Sequence, residues 1–125
     1  MGREDSMRNR AMLLLPVGLS LLALASCIYV MNLDPVASLT ALPVLGATPL
    51  HVTLDATASH DPDGTIASYL WTFGDGQTSS ESAFPFAHDF TVQSESETFT
   101  IVLVVTDNQG ATDTAVRNVT VNPAP

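Results

Sequence analysis

Lysine is absent from the 125 residues, and three of the four arginines (Arg3, Arg8 and Arg10) fall in the first ten. From Asp34 onward, eleven carboxylates face a single base, Arg117. That balance excludes a nucleic-acid partner, because binding phosphate backbones takes Lys and Arg to displace counterions. It equally excludes a surface drawn to anionic lipid. The balance suits a soluble, self-repelling surface, a salty habitat or divalent cations. Cysteine is nearly absent too. The single Cys27 forbids an internal disulfide, so packing alone must hold the core. Aromatic residues make up only 6%, with one Trp. No helical period of apolar residues occurs after Leu33, which excludes a helical bundle.

Those few aromatics are concentrated in one stretch. In Ser68-Tyr69-Leu70-Trp71-Thr72-Phe73-Gly74-Asp75-Gly76, the rings of Tyr69, Trp71 and Phe73 alternate. An extended chain points all three to one face. Gly-Asp-Gly then supplies a turn, with Asp-Gly favouring a two-residue hairpin loop. The rings are expected in a core; an exposed aromatic platform for sugar or peptide is the alternative.

The N-terminal third is of another kind. Ala11 to Ala25 is apolar and follows the arginines, which is a signal-peptide pattern rather than a fold element. It ends in Leu24-Ala25-Ser26-Cys27, a sequence that resembles the bacterial lipobox, in which the Cys is lipidated and becomes the mature N-terminus. Two rivals stand beside it. Ala23-Leu24-Ala25 fits simple cleavage and secretion, and Ala11 to Leu33 carries no charge over a length that could cross a bilayer. All three place the rest of the chain outside the cytoplasm. The division expected is residues 1–27 as signal peptide or anchor, 28–33 as tether and 34–125 as the folded domain.

Past Asp34 the pattern is β. Pro35 to Leu45, with two prolines, reads as an edge strand or lead-in. Leu50, Val52 and Leu54 alternate with polar residues. Asp61-Pro62-Asp63-Gly64 is a turn, Ile66 to Phe73 the aromatic strand, and Gln77 to Pro85 a weak strand or loop. Phe86 to Phe90 is short. In Thr98 to Thr106, Phe99, Ile101, Leu103 and Val105 share one face while Val102 and Val104 share the other, as in a central strand. Asp107-Asn108-Gln109-Gly110 turns into Thr112 to Val121. About seven short strands give an all-β, immunoglobulin-like antiparallel sandwich.

In order along the chain, Asp55-Ala56-Thr57-Ala58-Ser59, Asp61 through Tyr69, Trp71-x-Phe73-Gly74-Asp75-Gly76, His88-x-Phe90 and Val104 through Ala111 resemble the PKD (polycystic-kidney-disease) domain family. Thr72 stands where the family usually has Asp. Gln93 to Glu97 replaces a Gly-centred turn, so a longer hairpin is expected there. The resemblance implies an extracellular module without catalytic activity. Its roles would be binding protein or carbohydrate, adhesion at the cell surface, or service as an accessory or spacer of a secreted hydrolase system. It also implies a calcium site from Asn32, Asp61, Asp63 and Asp107, with Asp34 nearby. The competing role for Asp61 and Asp63 is to cap their own turn through backbone N–H groups. Ser59-His60-Asp61 has the residue types of a triad, but sequence neighbours point apart and cannot relay a proton.

Overall fold

The structure is a computed structural model that describes residues 28–125. The signal and lipobox expectations, Cys27 included, lie outside the described residues. Ile28 to Met31 are exposed and carry no regular structure. Asn32–Pro125 forms a compact unit of its own.

Eight strands make two sheets: β1 (Thr40–Leu42), β2 (Leu45–Ala47), β3 (Leu50–Asp55), β4 (Ile66–Thr72), β5 (Thr78–Ser79), β6 (Phe86–Phe90), β7 (Glu97–Asp107) and β8 (Thr112–Asn122). The smaller sheet has the order β1-β3-β6 and the larger β2-β8-β7-β4-β5. Between them lies a core that includes Leu39, Val52, Leu54, Trp71, Phe90 and Leu103. The burial pattern of β3 alternates strictly, as its sequence does. β7 is central, flanked by β8 and β4, and buries Phe99, Ile101, Leu103 and Val105.

The sandwich departs from the expectation in four places. The Pro35–Leu45 lead-in is not one strand. Val36 bridges His60, β1 joins the smaller sheet, and the chain then crosses to the larger. Pro43 lies between the two pieces, where its missing N–H ends one ladder before the next begins. Second, the sheets are not wholly antiparallel, because β2 runs parallel to β8, with Leu45 opposite Thr120. Third, Gln93 to Glu97 does not lengthen a hairpin. β6 and β7 lie in different sheets, so this segment is a crossover. Fourth, the loop after the aromatic strand has three residues rather than two. The Phe73 amide donates to the Gln77 carbonyl at 3.1 Å, closing Gly74-Asp75-Gly76, with both glycines at positive φ.

Trp71 is fully buried and Phe73 nearly so. Trp71 meets Phe84 and Phe86 edge-on, with ring centroids 5.9 and 5.0 Å apart, and its indole N–H donates to the Glu81 carbonyl at 3.0 Å. Tyr69 is only half-buried and packs edge-on against Phe84. The aromatic strand is therefore core and not a platform.

Candidate functional site at the loop end

The polar side chains gather where the chain enters the domain. The turn at Asp61–Gly64 and the β7–β8 turn at Asn108–Ala111 meet at one end of the sandwich. Asn108 joins them: its backbone N–H donates to the Thr65 carbonyl at 3.0 Å, and its side-chain Oδ1 accepts the Thr65 N–H at 3.1 Å. Asn32 and Leu33 lie across the same end. The Asn32 amide donates to Asp107 Oδ2 at 2.8 Å and its Oδ1 accepts from Gln109 Nε2 at 2.6 Å. The Leu33 N–H donates to Asp63 Oδ2 at 2.9 Å. Asn32, Asp61, Asp63 and Asp107 are thus brought together, while Asp34 stays exposed.

The carboxylates are not equivalent. Asp107 is only 2% exposed, yet fully partnered. Its Oδ1 accepts the N–H groups of Gln109 and Ala111 at 2.8 and 2.9 Å. The Asn32 side-chain bond, followed by these backbone donors, holds its carboxyl below the usual carboxylate range. Asp61 is pushed the other way, first by burial and then by repulsion from Asp63 and Asp107. Its Oδ2 is shut off from solvent and has no hydrogen-bond partner. A Cβ at Gly64 would run into Asn108 Oδ1 and come within 2.6 Å of that same Asp61 oxygen, so a side chain there would have to push both aside. An orphaned, desolvated carboxylate oxygen in a cluster of acids is what a hard cation would satisfy. Among the described residues, no three Asp, Glu, His or Cys side chains converge as a metal-holding group by themselves. A cation here would also need the Asn32 amide oxygen and main-chain carbonyls. Calcium takes such neutral oxygens readily.

The remaining polar groups brace loops. Asp75, at the tip of the Gly-Asp-Gly turn, accepts a hydrogen bond from His88 Nε2 at 2.7 Å, and the His88 ring stacks on Phe73 with centroids 3.9 Å apart. The sequence holds no signal for this pairing, since Asp75 lies in the β4–β5 turn of the larger sheet and His88 on β6 of the smaller. Ser59 Oγ accepts the Ser38 N–H and donates to the Ser38 carbonyl, while His60 Nδ1 contacts the Ala58 carbonyl. Ser59, His60 and Asp61 do not form a relay. An open cavity of about 220 Å³ is lined by Ser38, Thr40, Asp55, Thr57 and Ala58. Its Asp55 is occupied by the hydroxyl and N–H of Thr57, which hold that carboxyl below its ordinary value.

Two packed sheets around a Trp-centred core define an immunoglobulin-like β-sandwich. A profile of the PKD domain matches residues 32–121, and the chain belongs to that family. It is 36% identical over 69 residues to the pre-pro-metalloprotease PrtV of Vibrio cholerae, a match spanning 55% of this chain and 7% of that protein. Only a small part of that relative's length is therefore represented here. The fold is similar to the solved PKD1 domain of Vibrio anguillarum Epp, with a TM-score of 0.57 and 35% identity, covering 75% of this chain and 100% of that one. That structure consists of the domain alone, and the matched part here lies within the compact unit Asn32–Pro125. A chain from a study of promiscuous carbohydrate-binding modules of the β-sandwich superfamily superposes with a TM-score of 0.68 and 34% identity. The superposition covers 76% of this chain and 37% of that one.

Proposed function

We propose that this chain is an exported, non-catalytic module that binds extracellular protein or polysaccharide, held at the cell envelope through its N-terminal segment. The observation that carries this reading is the PKD match over residues 32–121, in a domain whose polar side chains brace loops rather than line a closed reaction chamber. Relatedness to a metalloprotease domain and to a carbohydrate-binding-module chain supports the class of ligand. In this reading Cys27 carries the lipid. The test is done on cells: the intact chain promotes retention on an insoluble extracellular polymer, and deleting Asn32 onward while keeping the first 31 residues abolishes it. Mass spectrometry of the membrane fraction then finds an acylated mature terminus at Cys27. Retention that survives the deletion overturns the binding reading, and an intact Met1 or Met7 terminus overturns the anchor. A second reading, an accessory or spacer beside a secreted hydrolase, is supported by the likeness to part of the pre-pro-metalloprotease PrtV.

We further propose that calcium completes the fastening of Asn32 and Leu33 to the domain. Asp61, Asp63, Asp107 and the Asn32 amide oxygen would hold it, and the ion would supply positive charge to neutralise the crowded carboxylates. The raised pKa of Asp61 sets the sign of the test. Its folded value lies above its unfolded one, so its contribution to stability is present below the unfolded pKa and is lost as pH rises through the folded pKa. At neutral pH without calcium, Asp61→Asn is therefore expected to raise the melting temperature. Extracellular calcium sites bind with Kd of about 10⁻⁴–10⁻³ M. A ligand at 100 times its Kd adds about 2.7 kcal/mol to the folded state. Saturating calcium is expected to raise the melting temperature of the wild type and leave Asp61→Asn unmoved. Identical curves for the wild type in calcium and in chelator would reject the site.

A further inference from the structure

We propose that the outer face of the five-stranded sheet is a self-docking surface that receives a second copy of this chain. Strand register places Leu70 opposite Val104 and Val102 opposite Val116. The four aliphatic side chains form one patch at the middle of the face, with Leu70 52% and Val116 45% exposed. Around it the outward positions of β4, β7 and β8 are Ser, Thr and Asn. Several are already tied together: Thr98 to Thr120 at 2.9 Å, Thr100 to Asn118 at 3.0 Å and Ser96 to Asn122 at 2.7 Å. Side chains fixed beforehand lose less freedom on docking.

Charge selects the occupant. On β7 and β8 the ionisable residues Glu97, Asp107, Asp113 and Arg117 all share the opposite parity to Val102 and Val116. The outward positions of β4, β7 and β8 therefore carry no ionisable group. The outer face of the smaller sheet, by contrast, presents Asp55 and the His51–Asp89 pair. In a chain of net charge −9, two copies that meet through acidic surfaces repel each other. Repulsion is least when they approach through the neutral face. That face offers no ring for stacking a sugar and no base for a phosphate, which leaves a like surface as its match. β2 and β5 flank this face at opposite ends, so from Thr98 to Thr106 along β7 and across β8, β7 and β4 it measures roughly 27 by 10 Å, or about 270 Å². A standard interface takes about 800 Å² from each partner. The dimer is accordingly weak and concentration-dependent, with isologous symmetry. It does not rest on the polymer-binding reading.

The test is sedimentation velocity on residues 32–125 from about 1 μM to 1 mM. The wild type is expected to move from monomer towards dimer, and further so in high salt, which screens the remaining carboxylates. Leu70→Asp with Val116→Asp is expected to stay monomeric throughout while melting cooperatively. Leu70→Ser, which adds no charge, weakens association several-fold. Asp89→Ser on the other sheet leaves association unchanged. A wild type that is monomeric at the highest concentration overturns the proposal, as does a dimer that persists in the double variant. A monomeric wild type that adsorbs to a neutral polymer, with adsorption lost in the double variant, overturns it in favour of the polymer as occupant.

Discussion

Trp71→Ala is expected to lower the unfolding free energy by roughly 3–5 kcal/mol, the range for removing a buried aromatic side chain. The indole is completely buried between the sheets. Its removal takes away the edge-on contacts to Phe84 and Phe86 and leaves the Glu81 carbonyl without its indole donor. Small domains have about 5–15 kcal/mol in total, so the variant stands close to unfolding at room temperature. Trp71→Phe separates the two losses. It keeps most of the volume and forfeits the hydrogen bond to the β5–β6 crossover, for which about 0.5–1.5 kcal/mol is expected. Urea denaturation of residues 32–125 measures both. A midpoint for Trp71→Ala within error of the wild type would mean that the ring does not fill the space between the sheets.

Gly74→Ala is expected to be the next most damaging change, and more so than Gly76→Ala two residues on. Both glycines have positive φ, +84° and +92°. Each alanine therefore meets the same backbone penalty, on the order of 1–3 kcal/mol. The surroundings differ. A Cβ at Gly74 would stand 2.8 Å from the Thr100 carbonyl oxygen and 2.9 Å from the Thr100 nitrogen, whereas a Cβ at Gly76 meets nothing within 4 Å. Relief at Gly74 needs the turn to pull away from β7, the central strand. The difference between the two variants isolates the steric part from the torsional part. Equal losses in urea would show that β7 does not pass this close to the turn.

The same two residues mark what the sequence made legible. Alternation of Tyr69, Trp71 and Phe73, ending in Gly-Asp-Gly, is enough to place a buried strand and its turn. Alternation does not say how deep each ring goes, and Tyr69 at the rim is covered only by Phe84. The double-sided apolar pattern of β7 likewise identified a central strand. What stayed hidden depends on partners distant in sequence. β1 and β2 are three residues each, too short to display a period, and one joins each sheet. Nothing in Leu45-Gly46-Ala47 announces a parallel pairing with β8, because side-chain pattern reports burial and not the neighbour's direction.

At the loop end, the grouping of Asn32, Asp61, Asp63 and Asp107 was legible from their places on two turns and the lead-in together with the family resemblance. Their different roles were not legible there. Asp107 reads as a solvated turn former, yet it is buried and accepts N–H groups from its own turn and the Asn32 amide. Asp61, two residues from an exposed Asp63, carries the unpartnered oxygen. Burial of single oxygen atoms follows from how two loops interlock, and sequence spacing holds no record of that. The neutral outer face was likewise present in the sequence as every second residue of β7 and β8. It became a surface only once the register set Leu70 beside Val104 and Val102 beside Val116.

The claim that this is a binding module without chemistry is tested most directly by one depletion experiment on purified residues 32–125. Insoluble protein and polysaccharide fibres are incubated with the domain, and two quantities are followed: loss of domain from solution and appearance of soluble fragments. The account predicts saturable depletion on at least one polymer with no fragments released above the buffer control. Fragment release that disappears on Asp75→Asn or His88→Ala in a folded variant would contradict it, as would a domain that stays wholly in solution with every polymer.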